Sequence, residues 1–557
     1  MTSPSTLASE AQPLPPVLVA PLSVPEQSDH TKAIQQLLEG ETKWDQRLIH
    51  CSNWLNPILV KETRQALKSR QFSWTLMLLT LVVLAWSALG IVGMIPSIYY
   101  ASNGTGLLIG YAIILIVPAL IVIPQATFRS MASELEDGTF ETLSLSTLSP
   151  RHIIVGKLSV AAVQLTVYLS VIAPCITLTY LLRGVTLEVI AMSILIIASC
   201  GLGLSAIAIS VAAFARTRIQ QVFFSIVLLV GQVVAAWITG MVVIGVVGYG
   251  TAAGEGWIAF GIFLVGMILY GWLFLRCGAS AIGVTSENRS TPIRVPLLTI
   301  GILMCMFEAL MMISFGAQND LQSMIGVGLN FLFFHWGVAG CLMMGEQGII
   351  PIRARRSLPS SLLGRLFLTW MNPGAGPGYV FVLLSFSGSA FTLVLAPWAL
   401  LSSVQHNIGP GLLVYAIALT CFLALYLGLT RLICMLCMRR MMVGRLVASL
   451  AITLVSLILA VVLTCSLSLA SNRYRDLSFD WYCFPNLFWT LVELFPTSKT
   501  ALVDPEHLYA LVALLLCALV VGFINVALAA KDVVLLRIET PDRVLAERKR
   551  GRVREEN

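Results

Sequence analysis

The chain has 557 residues, 57% of them hydrophobic and 11% charged, with a mean hydropathy of +0.86 and a formal net charge of +7. A soluble domain is about 45–50% apolar and about 25% charged, so this composition excludes an ordinary globular core and points to lipid as the solvent. The modest positive charge bears on orientation in a membrane, and nucleic acid is not expected as a partner.

The apolar residues fall in blocks of roughly 20, the length a helix needs to cross about 30 Å of hydrocarbon. Lipid offers no partner to exposed backbone groups, so such blocks are helical. The alternating segments of about ten residues that build a barrel are absent. The expected fold is all-α: a polytopic helical membrane protein with about 12 transmembrane helices lying in the lipid bilayer.

In chain order, residues 1–50 are rich in Ser, Pro, Glu and Gln, lack the apolar core of a secretory signal, and read as a disordered cytoplasmic tail. Residues 51–72 read as an interfacial helix. Asn56 is suited to cap it and Pro57 to its first turn. Leu55, Ile58, Leu59, Ala66 and Leu67 share one face, with Lys61, Glu62, Arg64 and Lys68 largely elsewhere. A plain basic anchor for the next span accounts for that periodicity equally well.

Six apolar blocks then occupy 73–280: Ser73–Ile95, Leu107–Thr127, Leu158–Leu182, Val189–Phe214, Val222–Val247 and Trp257–Leu275. A polar segment, Arg276–Pro296, divides the protein. A second six-span region over 281–530 holds Leu297–Phe315, Ser323–Met344, Tyr379–Leu401, Gly411–Cys434, Leu446–Leu469 and Leu508–Ala530. The fifth and eleventh blocks are candidates for broken or re-entrant helices. Residues 531–557 form a basic tail. With the N-terminus inside, the outer loops hold only Arg183, Arg473, Arg475 and Lys499 of the 35 Lys and Arg. That asymmetry places both termini in the cytoplasm, in a plasma (inner) membrane.

Between the second and third blocks lies a short amphipathic segment exposed to the cytoplasm, residues 128–157. Glu134, Glu136 and Asp137 precede Gly138, which is expected to end the second helix. Thr139 is a plausible N-cap for a short helix with Glu141 in its first turn and Leu143, Leu145 and Leu148 along one edge. Ser149-Pro150 restarts the chain, and Arg151, His152 and Lys157 mark the return to the membrane.

This segment resembles the signature of ABC transporter permeases of the type-2 exporter class, approximately E-x-E-x-G-T-x-E-x-L-x-x-T-P-L-S-x-x-x-I-x-x-G-K. The matching residues are Glu134, Glu136, Gly138, Thr139, Glu141, Leu143, Thr147, Leu148, Ser149, Ile153 or Ile154, Gly156 and Lys157. The chain lacks the Pro before the Leu-Ser pair and has Pro150 after it. Asn56, Pro57, Lys61, Glu62 and Arg64 also look like the helix that leads into the first span of these permeases. The resemblance covers roughly residues 50–280. It implies that the loop docks on a separate ABC ATPase subunit, a dimer that carries ATP and Mg, and that this chain needs no cofactor of its own. Coupling would then fall to Glu134, Glu136, Gly138, Thr139, Glu141, Leu143, Leu148, Ser149, Gly156 and Lys157. Without the resemblance, the same segment reads as an ordinary solvated inner loop.

The second half carries a faint echo. Glu346-Gln347-Gly348 leaves the eighth block and Gly364-Arg365-Leu366 leads into the ninth, as Glu136-Asp137-Gly138 and Gly156-Lys157-Leu158 do earlier. Two readings stay open. The chain is a fused pair of six-span halves, or the second half is accessory and a second permease copy completes the transporter.

Two ionisable groups lie inside blocks, Glu308 and His335. Such groups are costly in lipid and face a cavity or a partner. They support an alternative function, an ion-coupled secondary transporter, against the plainer role of polar helix-packing groups. Catalysis is not expected. Gly156-Lys157 lacks the upstream Gly of a phosphate loop, and the C-x-x-C pair Cys434 and Cys437 has no second pair to complete a metal site. The outer segment near Trp481, Tyr482, Phe484, Phe488 and Trp489 reads as an interfacial aromatic helix.

Overall fold

Among the described residues, twelve helices are long and apolar enough to cross a membrane. The structure, a computed structural model, describes residues 57–96, 104–137, 149–215, 217–249, 255–283, 288–315, 321–346, 355, 361, 369–400, 411–437, 445–470, 483–494 and 505–535. The chain divides into two units, residues 1–61 and 62–557. Residues 57–61 are the described part of the first and open helix α1 (Pro57–Leu67). The expected tail over 1–50 and most of the basic tail over 531–557 lie outside the described residues.

Span 1 is α2 (Arg70–Gly93), and span 2 is α3 (Gly104–Val117) continued through a π turn into α4 (Ile123–Glu136). Spans 3 to 6 are α5 (Pro150–Leu181), α6 (Leu187–Phe214), α7 (Arg218–Tyr249) and α8 (Glu255–Ile282). Spans 7 to 11 are α9 (Thr291–Phe315), α10 (Leu321–Met344), α11 (Ala375–Leu400), α12 (Gly411–Cys437) and α13 (Arg445–Ala470). The short helix α14 (Leu487–Leu494) carries Phe488 and Trp489 of the aromatic segment, and α15 (Pro505–Leu535) is span 12. The fifth and eleventh blocks are continuous helices, not broken ones.

Local chemistry explains where these helices begin. Ser69 accepts the amide of Phe72 at 3.2 Å and caps span 1. Pro150 takes the first position of span 3, where a missing N–H costs nothing. Hydroxyls inside the spans turn back on their own helices, as Thr80 does to the Leu76 carbonyl at 2.8 Å and Ser205 to that of Gly201 at 2.8 Å. Large apolar side chains cover the outside: Trp74 is 66% exposed, Phe334 70% and Phe523 76%. So much exposed apolar surface is tolerable only against lipid. The chain is a multi-pass helical membrane protein.

The helices of the first half pack in a definite pattern. Span 1 packs on spans 2 and 3; span 2 on 3, 4 and 5; span 3 on 4 and 6; span 4 on 5 and 6. In the second half, span 7 packs on 8 and 9; span 8 on 9, 10 and 11; span 9 on 10 and 12; span 10 on 11 and 12. The two sets are the same, displaced by six spans. A shift by an even number of crossings preserves orientation, as in parallel repeats related about the membrane normal. Each half has its own apolar core, and span 6 packs on span 7 where they join.

Span 2 is wound irregularly at its centre. Pro118 and Pro124 bracket a π turn, Pro118–Val122, closed by the Ile123 amide on the Pro118 carbonyl. Proline lacks the donor that a regular helix needs, so the winding adjusts around it. Span 4 fits against this turn through Gly201: a Cβ there would lie 2.8 Å from the Ala119 carbonyl oxygen. Small residues allow such close backbone approach in membranes.

Candidate functional site

The buried end of span 3 carries a lysine among acids. Pro150 and Ser149 set the helix start, and Ser149 Oγ meets His152 Nδ1 at 2.7 Å. Two turns further, Lys157 is 1% exposed. Its ammonium lies 2.9 Å from Glu62 Oε1, 3.0 Å from Glu134 Oε1 and 3.0 Å from Ser130 Oγ. An ammonium has three donors, and three acceptors meet them here. Ser130 and Glu134, four residues apart, share one face of α4. Glu62 comes from α1.

One buried cation thus ties the helix ahead of span 1, the exit of span 2 and the start of span 3. Burying such a charge is costly, and the cost is met only when paired oppositely charged groups and hydrogen bonds surround it. Taking the lysine away would leave two carboxylates facing each other. The arrangement holds three elements in a fixed relation.

Several expected site residues fall in this bracket, and others do not. Glu62, Glu134 and Lys157 come together, with Gly156 buried beside Lys157. Glu136 instead pairs with the exposed Arg218 at the start of span 5, a surface contact. Arg64 and Lys61 are exposed on α1. Asn56, Gly138, Thr139, Glu141, Leu143 and Leu148 lie outside the described residues, as does the short helix expected after Gly138. One correction concerns Glu62. Periodicity puts it on the polar face of α1, yet it is half-buried along with Thr63, Ala66 and Leu67 because Lys157 waits opposite.

Comparisons with known proteins find no match, whether to a family model, to a curated protein or to a solved structure. The reading of this site therefore rests on its residues.

The two intramembrane groups behind the alternative function are not neighbours. His335 Nε2 donates to the Leu297 carbonyl at 3.1 Å while Nδ1 meets the Tyr270 hydroxyl at 3.0 Å. A carbonyl only accepts, so Nε2 carries the proton and a neutral ring satisfies both bonds. His335 therefore pins span 8 to spans 6 and 7. Glu308 rests against Gly328, whose added Cβ would lie 2.8 Å from its carboxyl carbon. Gly328 and His335 are seven residues apart on α10, about 10 Å along the helix.

Ser130, Arg294, Arg431 and Glu346 are buried or bonded polar groups that sequence reasoning did not single out as one set. A charged residue at the membrane end of a span is an ordinary topological signal, and its burial is visible only once the helices are packed. Among the described residues, no group of three or more His, Cys, Asp or Glu stands close enough to hold a metal ion.

Proposed function

We propose that the chain is the membrane-spanning permease subunit of an ATP-binding cassette exporter, driven by an ATPase on a separate polypeptide. A subunit of the ATPase, a dimer carrying ATP and Mg, docks on the loop between spans 2 and 3 from the cytoplasmic side of the plasma (inner) membrane, where both termini lie. The observation that carries this reading is the Lys157 bracket. The two stretches resembling the ATPase-facing motifs of type-2 exporters are far apart in sequence, and Lys157 fastens one to the other through Glu62 and Glu134.

The mechanical logic follows from the geometry. A load applied to the loop after Glu134 passes through Lys157 to the start of span 3 and through Glu62 to the helix ahead of span 1. Packed elements held by a saturated buried charge move together and do not bend independently. Closure of the ATPase dimer then becomes a joint displacement of spans 1, 2 and 3. This chain binds and transmits; it performs no chemistry on ATP.

The test is to purify the chain with its ATP-hydrolysing partner, reconstitute the complex in vesicles and compare it with Glu134→Gln and Glu62→Gln. Each variant should retain hydrolysis while losing the dependence of that hydrolysis on the membrane subunit. Coupling that stays intact in both, in protein that is still folded, would overturn the role given to the bracket. Absence of any ATP-hydrolysing partner would overturn the exporter reading.

A further inference from the structure

The second half contains a knot built like the Lys157 bracket. Arg294, at the start of span 7, is fully buried. Its guanidinium donates to Glu346 Oε2 at 2.6 Å, to the Gly374 carbonyl at 3.4 Å and to the Trp370 carbonyl. Thr291 Oγ1, one turn earlier, donates to the Met371 carbonyl at 2.9 Å. The Phe381 ring lies 5.6 Å from the guanidinium carbon. Glu346 leaves span 8, and residues 370–374 form the turn into span 9, where Gly374 takes a φ of 134°.

The elements joined are the start of this half's first span, the exit of its second and the start of its third. The Lys157 bracket joins the approach to span 1, the exit of span 2 and the start of span 3. Under the six-span shift that relates the helix packing, the two knots fall in the same place. Only the source of the cation has changed, from the third span of one half to the first span of the other.

A second junction obeys the same shift. Spans 3, 4 and 6 meet at Ile154, Ser210 and Gly278: a Cβ on Gly278 would lie 3.2 Å from Ser210 Oγ and 3.4 Å from Ile154 Cδ1. Spans 9, 10 and 12 meet at Gly376, Arg431 and Ala529: a Cβ on Gly376 would lie 2.9 Å from Arg431 Nη2 and 3.1 Å from Ala529 Cβ. In each junction the middle helix donates a side-chain hydrogen bond to a carbonyl of the last helix. Ser210 donates to Phe274, and Arg431 to Asn525 at 2.7 Å. That carbonyl lies four residues before the small residue in both cases.

We infer that the Arg294–Glu346 knot is a second coupling bracket, and that one chain docks two copies of the ATPase subunit, one on each six-span half. The inference rests on the exporter reading above. It makes a second permease chain unnecessary, because both halves of the pathway are already joined through spans 6 and 7.

The experiment expresses the full chain under two different affinity tags in one cell with its ATPase and weighs the intact complex in detergent. The expected complex holds one 60.5 kDa chain, carries one tag and contains two ATPase subunits. Both tags in a single particle, with one ATPase subunit per chain, would overturn the inference and leave the exporter reading standing. A purified chain with no ATP-hydrolysing subunit would overturn that reading and this one together.

Two variants then address the second bracket, with monodispersity in detergent as the control for folding. Glu346→Gln, and Arg294→Lys, which keeps the charge but loses the planar fork, should each keep two ATPase subunits per chain while removing the dependence of hydrolysis on the membrane subunit. Hydrolysis that stays coupled in both variants would overturn the assignment of this knot.

Discussion

Lys157 Nζ and Glu62 Oε1 stand 2.9 Å apart although 95 residues separate them in the chain. With Glu134 on the other side, the lysine is the common partner of two acids that would otherwise repel each other at close range.

The first prediction concerns that dependence. Lys157→Met keeps the bulk of the side chain and removes its charge, leaving Glu62 and Glu134 without their cation. Breaking one side of a buried ion pair costs about 3–5 kcal/mol. Thermal unfolding of the detergent-solubilised protein should show a clearly lower midpoint. A midpoint equal to the parent's would mean that the bracket contributes nothing to holding these helices together.

Pairing can be separated from simple loss of charge. A double-mutant cycle on Lys157→Met and Glu134→Gln should give a coupling energy of about 0.5–3 kcal/mol, since the two groups touch. The same cycle run on Lys157→Met and Glu136→Gln should be additive, because Glu136 pairs with Arg218 at the surface. Equal coupling in both cycles would contradict the geometry.

Span 4 offers a steric test. Gly201→Val would drive a branched side chain into the Ala119 carbonyl at the π turn. Backbone cannot yield as a flexible side chain can, so the folded fraction recovered in detergent should fall sharply. Gly231→Val, whose Cβ meets nothing within 4 Å, should be recovered normally.

His335 and Glu308 separate the exporter from an ion-coupled carrier. His335→Leu leaves the Tyr270 hydroxyl and the Leu297 carbonyl without their shared partner, at about 1–3 kcal/mol for a buried group left unpaired. It is expected to lower stability while sparing ATP dependence. Glu308→Gln is expected to leave ATP-driven transport unchanged. Transport that follows an ion gradient and stops in Glu308→Gln would favour the carrier.

Gln232 is a polar group that the fold does not satisfy. It is fully buried in span 5, and neither its amide nitrogen nor its amide oxygen has a hydrogen-bond partner among the described residues. Gln232→Met preserves shape and removes both unmet groups, so the unfolding midpoint should rise. A fall would show that the amide is engaged in the working protein.

The spans were legible in the sequence because hydropathy over 20 residues is a strong, local signal. The polar bracket was half legible. Glu134 and Lys157 stand out as charges at helix ends, but nothing local says that Lys157 is buried or that Glu62 turns towards it. Helical periodicity treats Glu62 as a solvated face residue, and a partner 95 residues away reverses that. The repetition of the two halves was fainter still. Lipid-facing apolar side chains exchange freely, so helix packing persists while sequence identity fades. In addition, the second cation sits on a different span, where a position-by-position search for Lys157 does not look.

The π turn in span 2 gives the lysine a further consequence. A π turn is one surplus residue in a helical coil. The extra residue turns the segment beyond it by about 100° relative to a regular helix. Ser130 and Glu134 lie on the segment immediately downstream, gripped by Lys157. Because Ser130 and Glu134 are both held by the one ammonium, the rotation that the surplus imposes on α4 is fixed against span 3.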